Sequence, residues 1–149
     1  DVYGNFALAG SIFLDSRNSS TFADVFSLLY GHHMENSQMF GDLDKYRSVD
    51  FLQQTNTGTL LVPGGRYALR VFACIVVSAS DDLIYQPLQW QADNVPAMLD
   101  RLQADALCVD QAAMDDLRTA QNLKVLCMST CSSDYTDART VVLAAMQLE

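Results

Sequence analysis

The residues most suited to covalent chemistry are a cysteine, two histidines and an arginine at the ends of apolar segments. Residues 125–131 run from apolar to polar and end at Cys131, and Arg139 follows eight residues later, before another apolar run. Far upstream, a third apolar run ends at His32 and His33. A thiol, an imidazole and a permanent positive charge are the groups needed for acyl transfer through a cysteine.

The setting of Cys131 favours a functional thiol, whereas the other three cysteines are expected to be packing residues. Hydroxyl-bearing residues flank Cys131 at the end of a predicted strand, 124–130. Cys74 and Cys108 lie within apolar runs, where a cysteine usually behaves as a buried hydrophobe. Cys127 is about 13 Å from Cys131 along an extended strand, but a disulfide needs Cα atoms within about 7 Å. The spacings match neither a disulfide scaffold nor a zinc pattern.

Only one of the two adjacent histidines is expected to share a site with Cys131. Successive side chains of an extended chain point to opposite faces, and the histidines directly follow a predicted strand, 25–30. A metal site is not expected, because adjacent histidines rarely chelate one ion and no third ligand is suitably spaced. Arg139 returns to the end of the sheet that holds Cys131, although an ordinary solvated arginine at a strand start is the alternative.

Length, composition and charge predict one globular domain that does not bind nucleic acid. The 149 residues are 50% hydrophobic, enough to bury a core. The net charge is −9 and the nine basic residues are scattered, so a nucleic-acid surface is excluded and a cationic or amine-bearing partner fits better. The chain has no run of about 18 apolar residues and no signal-peptide pattern at its start.

Strand-like runs dominate the chain and predict a mostly antiparallel sheet or barrel with helices added. A Pro-Gly-Gly turn at residues 63–65 separates two of these runs and predicts a hairpin. Apolar residues at helical spacing follow Asp93 and Asn94, with a proline in the first turn, which predicts a capped helix from residue 95 to 106. Shorter helices are expected at 39–46, 49–53 and 111–118. The predicted strands are 10–14, 25–30, 59–62, 67–79, 124–130 and 139–147.

Five segments share their order and approximate spacing with a known family. They are 10–18 (GSIFLDSRN), 29–34 (LYGHHM), 39–43 (MFGDL), 126–131 (LCMSTC) and Arg139. Together they resemble the sortases over nearly the whole chain. The Ser-Thr-Cys ending and the helix before the last two strands favour class B of that family.

The resemblance implies a mostly β fold: a sortase-type β-barrel with a mixed sheet, one longer helix before the last two strands, and short peripheral helices. Residues 1–149 would form the catalytic domain, without the N-terminal anchor, the N-terminal helices and the first strands. It also implies that Cys131 is the nucleophile, His32 the acid and base, and Arg139 the cation, with His33 at a non-catalytic position. The substrate-binding positions matched are Tyr30, Ser129, Thr130, Leu83 and Ile84.

The implied reaction is transpeptidation on the extracytoplasmic face of a bacterial cell membrane, with no cofactor and no metal. The cysteine would cleave an Asn-Pro-x-Thr or Leu-Pro-x-Thr sorting motif of a surface protein or pilin. An amine of a peptidoglycan precursor or a pilin lysine would then take the acyl group. Two alternatives are open: a cysteine peptidase that hydrolyses the same motif, and an inactive fragment that binds sorting signals. A sheet without its opening strands is also expected to self-associate.

Overall fold

A seven-stranded mixed β-sheet organises the chain. The computed structural model describes residues 1, 3–7, 9–34, 37–131 and 136–149, with the side chains of all of these except Cys131. The strands are β1 (Phe13–Leu14), β2 (Phe26–Tyr30), β3 (Thr57–Val62), β4 (Gly65–Ser78), β5 (Cys108–Val109), β6 (Lys124–Cys131) and β7 (Ala138–Leu148). The helices are α1 (Val49–Gln54), α2 (Asp82–Tyr85), α3 (Val95–Asp105) and α4 (Gln111–Thr119), and two 3₁₀ helices cover Gly41–Arg47 and Pro87–Gln89.

The order of the strands is β1-β2-β6-β7-β4-β3, with β5 also paired to β4. β2 and β6 are parallel and the other pairs are antiparallel, so the predicted mostly β, mixed sheet is confirmed. The sheet is open within the described residues, because β1 and β3 at its two ends do not pair with each other. The expected closure into a barrel is therefore not found in this part of the chain.

The hairpin between β3 and β4 forms at the predicted turn. Val62 pairs with Gly65, which leaves Pro63 and Gly64 as the two turn residues. Gly64 has a φ of +88°, a conformation that costs glycine little because it lacks a Cβ. At the other end of the sheet, the predicted strand 10–14 contracts to the two residues of β1, which pair with the end of β2.

The predicted helices are present, but one of them begins without the expected cap. The carboxylate of Asp110 accepts a hydrogen bond from the backbone of Ala113 and caps α4. α3 begins after Asn94 as predicted, yet the Asn94 side chain makes no hydrogen bond to the helix. It bonds instead to the backbone of Gln91 and Gln89 in the preceding turn. No helix in the described residues is both long enough and apolar enough to cross a membrane.

The central part of the sheet is buried on both faces, which explains the nearly continuous apolar sequence of β7. Val141 and Leu143 pack into a cluster beneath α2, α3 and α4. Val142 and Ala144, which alternate with them, pack into a second cluster on the opposite face, with Leu43 of the first 3₁₀ helix. A strand covered on both faces needs apolar residues at successive positions rather than at every second one.

Trp90 allows a test of the first cluster. The indole is 2% exposed, stacks on Phe26 with ring centroids 4.6 Å apart, and donates from Nε1 to the Leu83 carbonyl oxygen at 2.8 Å. We expect Trp90→Phe to lower the free energy of unfolding by about 2–3 kcal/mol in urea denaturation, because packing volume and a buried hydrogen bond are lost. Leu88→Ala, at a half-exposed position nearby, should change it by less than about 0.5 kcal/mol. Equal losses of unfolding free energy for the two variants would contradict a central role of Trp90 in this cluster.

Candidate functional site

A cleft of about 140 Å³ lies where β2 and β6 end and β7 begins. Five of the residues that line it are ones that the sequence singled out, and they come from three separate segments. The lining residues are Phe13, Tyr30, Gly31, His32, Ser129, Thr130 and Arg139. The tertiary structure therefore brings together most of the predicted site.

The pairing of β6 with its two neighbours sets this arrangement. Tyr30 lies opposite Ser129 in the parallel pair of β2 and β6. Cys131 lies opposite Arg139 in the antiparallel pair of β6 and β7. The backbone of the predicted nucleophile is thus next to the predicted cation, while the Cys131 side chain lies outside the described residues. The Arg139 guanidinium donates to the Ala138 carbonyl oxygen at 2.9 Å.

His32 is placed by backbone hydrogen bonds and by two glycines. The Gly31 N–H donates to the Ser129 carbonyl oxygen at 3.1 Å, and the Phe40 N–H donates to the His32 carbonyl oxygen at 3.0 Å. A Cβ on Gly31 would lie 2.6 Å from the Phe40 ring, so a larger residue has no room there. Gly10, with a φ of +64°, brings its backbone against the imidazole: a Cβ there would lie 3.3 Å from His32 Nε2.

His33 has a different set of partners from His32. Its Nε2 lies 2.8 Å from Asp44 Oδ2, and Asp44 Oδ1 accepts a hydrogen bond from the Thr140 hydroxyl at 2.6 Å. The Asp44 carboxylate therefore links His33, which follows β2, to Thr140 in β7. The two histidines are separated as the alternation of side chains predicts: His32 lines the cleft, and His33 contacts the first 3₁₀ helix.

Ser129 and Thr130 are both buried but differ in their hydrogen bonding. The Ser129 hydroxyl shares a hydrogen bond of 2.7 Å with the Tyr85 hydroxyl. The Thr130 hydroxyl has no hydrogen-bond partner among the described residues. A buried hydroxyl without a hydrogen-bond partner lowers the free energy of unfolding by about 1–3 kcal/mol, so its presence in a folded protein needs an explanation.

Three stacked aromatic rings and an ion pair lie beside the cleft, and two of the rings, those of Phe13 and Tyr30, line it. The Tyr30 ring lies between those of Phe13 and Tyr85, at centroid distances of 5.2 and 6.3 Å. The Tyr30 hydroxyl donates to Asp15 at 2.9 Å, and Arg17 makes three hydrogen bonds to the same carboxylate, two from its guanidinium and one from its backbone N–H. Arg17 also donates to the Tyr85 carbonyl oxygen. The hydrogen bonds from Arg17 lower the pKa of Asp15 far below its ordinary value. The pKa of Tyr30 is raised, mainly because the phenol is partly buried and also because it donates a hydrogen bond to Asp15.

The structure does not support the prediction that Leu83 and Ile84 line the peptide groove. Residues 82–85 form α2, capped by Asp81, rather than a loop. Leu83 is 5% exposed and Ile84 is fully buried, and both pack into the cluster beneath the helices. The next residue, Tyr85, is the one that reaches the cleft through its hydrogen bond to Ser129.

Sequence reasoning missed three residues that belong to this region: Phe13, Tyr85 and Asp44. Phe13 is 56% exposed and lies opposite Tyr30, a pairing that the sequence of a two-residue strand cannot reveal. Tyr85 follows directly after the predicted Ile84, so the segment was identified but the residue was not. Asp44 lies in a segment predicted as helical, with no sign in the sequence that it faces His33.

The arrangement is suited to acyl chemistry. An imidazole and a guanidinium flank the strand end that carries Cys131. No group of three His, Cys, Asp or Glu side chains within the described residues could hold a metal ion. A larger cavity of about 880 Å³ lies near the opposite ends of β4 and β7, and none of the predicted site residues lines it.

Comparisons with known proteins point to one family. No family model matches the chain. The chain is 31% identical over 140 residues to sortase B of Listeria monocytogenes, across 91% of this chain and 54% of that protein. It therefore spans about half the length of the curated relatives it matches.

Solved structures give the same result. Sortase B from the type II pilus of Streptococcus pneumoniae is 34% identical with a TM-score of 0.78, over 93% of this chain and 76% of that one. A Staphylococcus aureus sortase B–substrate complex is 25% identical with a TM-score of 0.82, over 99% and 67% of the two chains. Both similarities extend over nearly all of the described fold.

The Asp15 ion pair predicts a dependence of stability on pH. Because the folded state lowers the pKa of this carboxyl, its stabilising effect is complete at neutral pH and is lost as the pH falls below about 4. We expect Asp15→Asn to reduce the free energy of unfolding by about 2 kcal/mol at pH 7. The difference from the unchanged protein should narrow steadily below pH 4 in denaturant titrations.

Asp116→Asn is the matched control for this change. The Asp116 side chain is largely exposed although it also pairs with an arginine, Arg70, so its loss should cost less than about 0.5 kcal/mol. A loss for Asp15→Asn that stays constant from pH 7 to pH 3 would show that the ion pair is not its cause.

Proposed function

The chain belongs to the class B sortase family, and from that membership we propose that it is a cysteine transpeptidase that acts through Cys131. The observation that carries the proposal is the cleft at the end of β6. His32 and Arg139 both line it, and Arg139 is paired in register with Cys131. A thioacyl mechanism needs these three residue types. Cys131 lies at the end of β6, Arg139 at the beginning of β7 and His32 just after β2.

The reaction proceeds in two steps. The Cys131 thiolate attacks a peptide carbonyl carbon, a thioester bond forms, and the peptide C–N bond breaks while His32 protonates the departing amine. An acceptor amine then attacks the thioester and gives up a proton to His32; a new amide bond forms, the C–S bond breaks, and the Cys131 thiolate and the protonated His32 are restored. Nearby positive charge also favours the thiolate form of the cysteine.

Arg139 and Thr130 supply the remaining contacts. The Arg139 guanidinium stabilises the negative charge that develops on the carbonyl oxygen in both steps, or anchors the peptide that carries it. Thr130 lines the same cleft and its buried hydroxyl has no partner among the described residues, so a hydrogen bond to the bound peptide would satisfy that hydroxyl. The ring of Phe13, stacked on Tyr30, offers an apolar surface for the side chains of the motif.

The substrates proposed are sorting motifs of the Asn-Pro-x-Thr or Leu-Pro-x-Thr type in surface proteins or pilins. The acceptor is an amine of a peptidoglycan precursor or of a pilin lysine. Two of the similar structures support this assignment, since one sortase B comes from a pilus and another was solved with its substrate. The place of action is the cell envelope of a Gram-positive bacterium, on the extracytoplasmic face of the membrane.

A peptide assay with matched variants tests the proposal. The full chain is incubated with a fluorescent sorting-motif peptide, with and without an amine acceptor, and products are quantified by chromatography and mass spectrometry. We expect Cys131→Ala to abolish turnover, His32→Ala to lower kcat/KM by about 10²–10⁴, and Arg139→Lys to lower it by about 10–10³. Two variants are the controls: Cys127→Ser changes a buried thiol in the same strand as Cys131, and His33→Ala removes the imidazole next to His32 in the sequence. Each should lower kcat/KM by less than about tenfold.

The outcomes separate the three functions. Product that contains the acceptor, together with a thioacyl adduct on Cys131, supports transpeptidation. Cleavage that is equally fast with and without the amine, and yields only hydrolysed peptide, would identify a peptidase instead. Peptide binding without any turnover, and unchanged by Cys131→Ala, would identify a binding module.

Thr130→Val separates a substrate contact from a structural role. Valine has nearly the shape of threonine but lacks the hydroxyl that is buried without a partner. We expect the variant to be at least as stable as the unchanged protein in thermal melts, because an unsatisfied polar group is removed. Its kcat/KM should fall about 3–10-fold, the effect of one lost hydrogen bond to the substrate. A destabilised variant with unchanged kcat/KM would assign the hydroxyl to the fold.

A further inference from the structure

Two cysteines outside the cleft lie directly opposite each other in the sheet. Cys74 of β4 pairs with Cys108 of β5, next to the antiparallel pair of Ala73 and Val109. The Leu107 N–H donates to the Cys74 carbonyl oxygen at 2.9 Å, and the Asp110 N–H donates to the Phe72 carbonyl oxygen at 2.8 Å. Opposed residues in such a ladder have Cα atoms about 4.5–5.5 Å apart and side chains on the same face. A disulfide requires about 4.4–6.8 Å.

The surroundings of the two thiols agree with this geometry. Cys74 is fully buried and Cys108 is 4% exposed, and both belong to the same hydrophobic cluster. Neither is in a disulfide in the structure, and the Cys108 thiol donates to the Arg47 carbonyl oxygen at 2.9 Å. Cys127 is equally buried but lies in the other cluster, on the opposite face of the sheet.

We propose that Cys74 and Cys108 form an intramolecular disulfide when the chain folds in the presence of a disulfide-bearing oxidant. The thiolate of Cys108 attacks the oxidant's disulfide, forms a mixed disulfide and releases one thiol. The thiolate of Cys74 then attacks the Cys108 sulfur, and the second thiol leaves. Two electrons and two protons pass from the cysteines to the oxidant, which is reduced to two thiols. This modification is independent of the proposed enzymatic function.

The cross-link would enclose a segment that supports the cleft. Residues 74 to 108 include α2, the second 3₁₀ helix and α3, and therefore Tyr85, which is bonded to Ser129. β5 is only two residues long, so its hydrogen bonds alone hold the end of this segment weakly. A disulfide restricts the unfolded chain over this loop and should raise the melting temperature by about 10 °C.

The test uses the full chain with Cys131→Ala, because this change removes the proposed nucleophile as a source of unrelated thiol exchange. The protein is unfolded, refolded in a buffer of reduced and oxidised glutathione, alkylated, and digested without reduction. We expect mass spectrometry to detect a linked peptide pair that contains residues 74 and 108. The melting temperature should be about 10 °C higher than that of the same protein refolded with a reductant.

Matched cysteine variants complete the design. Cys108→Ser and Cys74→Ala should each abolish both the linked peptide and the temperature difference, and either one suffices if the other fails to fold. Cys127→Ser should retain both. A refolded protein whose cysteines 74 and 108 carry only alkyl groups or separate glutathione adducts would overturn the proposal. A link that leaves the melting temperature unchanged or lowers it would overturn the supporting role of the cross-link.

Discussion

The pairing of β6 with β2 on one side and β7 on the other is the constraint on which the site depends. The parallel pairing places Ser129 opposite Tyr30, and the antiparallel pairing places Cys131 opposite Arg139. Side chains alternate along a strand, so a slip of one residue in either pairing would move every side chain of the shifted strand to the other face. Burial on both faces of the sheet makes such a slip costly, because each cluster accepts only the side chains that fit it.

The cleft is held from both faces of this central part of the sheet. On one face, Asp44 contacts His33 and Thr140, so that the first 3₁₀ helix bridges the segment after β2 and the beginning of β7. On the other face, Tyr85 contacts both Ser129 and the Tyr30 ring. The cleft therefore does not depend on one loop. Its geometry is tied to the same helices that cover the two hydrophobic clusters.

The sequence predicted the elements better than it predicted the contacts between them. The long strands and the helices appear close to their expected positions, since apolar runs, turn residues and helical spacing are local signals. Asn94 marked the correct helix start, but its side chain bonds to the preceding turn instead of the helix. Leu83 and Ile84 were assigned to the cleft, yet α2 turns both into the core. Closure of the sheet depends on which strands meet, and no local pattern encodes that.

The sequence by itself determined which residues have the chemistry, and it placed Cys131, His32 and Arg139 at the ends of strands. It also determined that they belong to one ordered set of motifs. Only the tertiary structure decided that Arg139 pairs with the backbone of Cys131, and that Phe13, Tyr85 and Asp44 belong to the surroundings of the cleft. The physical reason is that residue type and spacing act within one segment, whereas a site depends on strand register and helix packing between distant segments. Those interactions are set by the burial of both faces of the sheet at once.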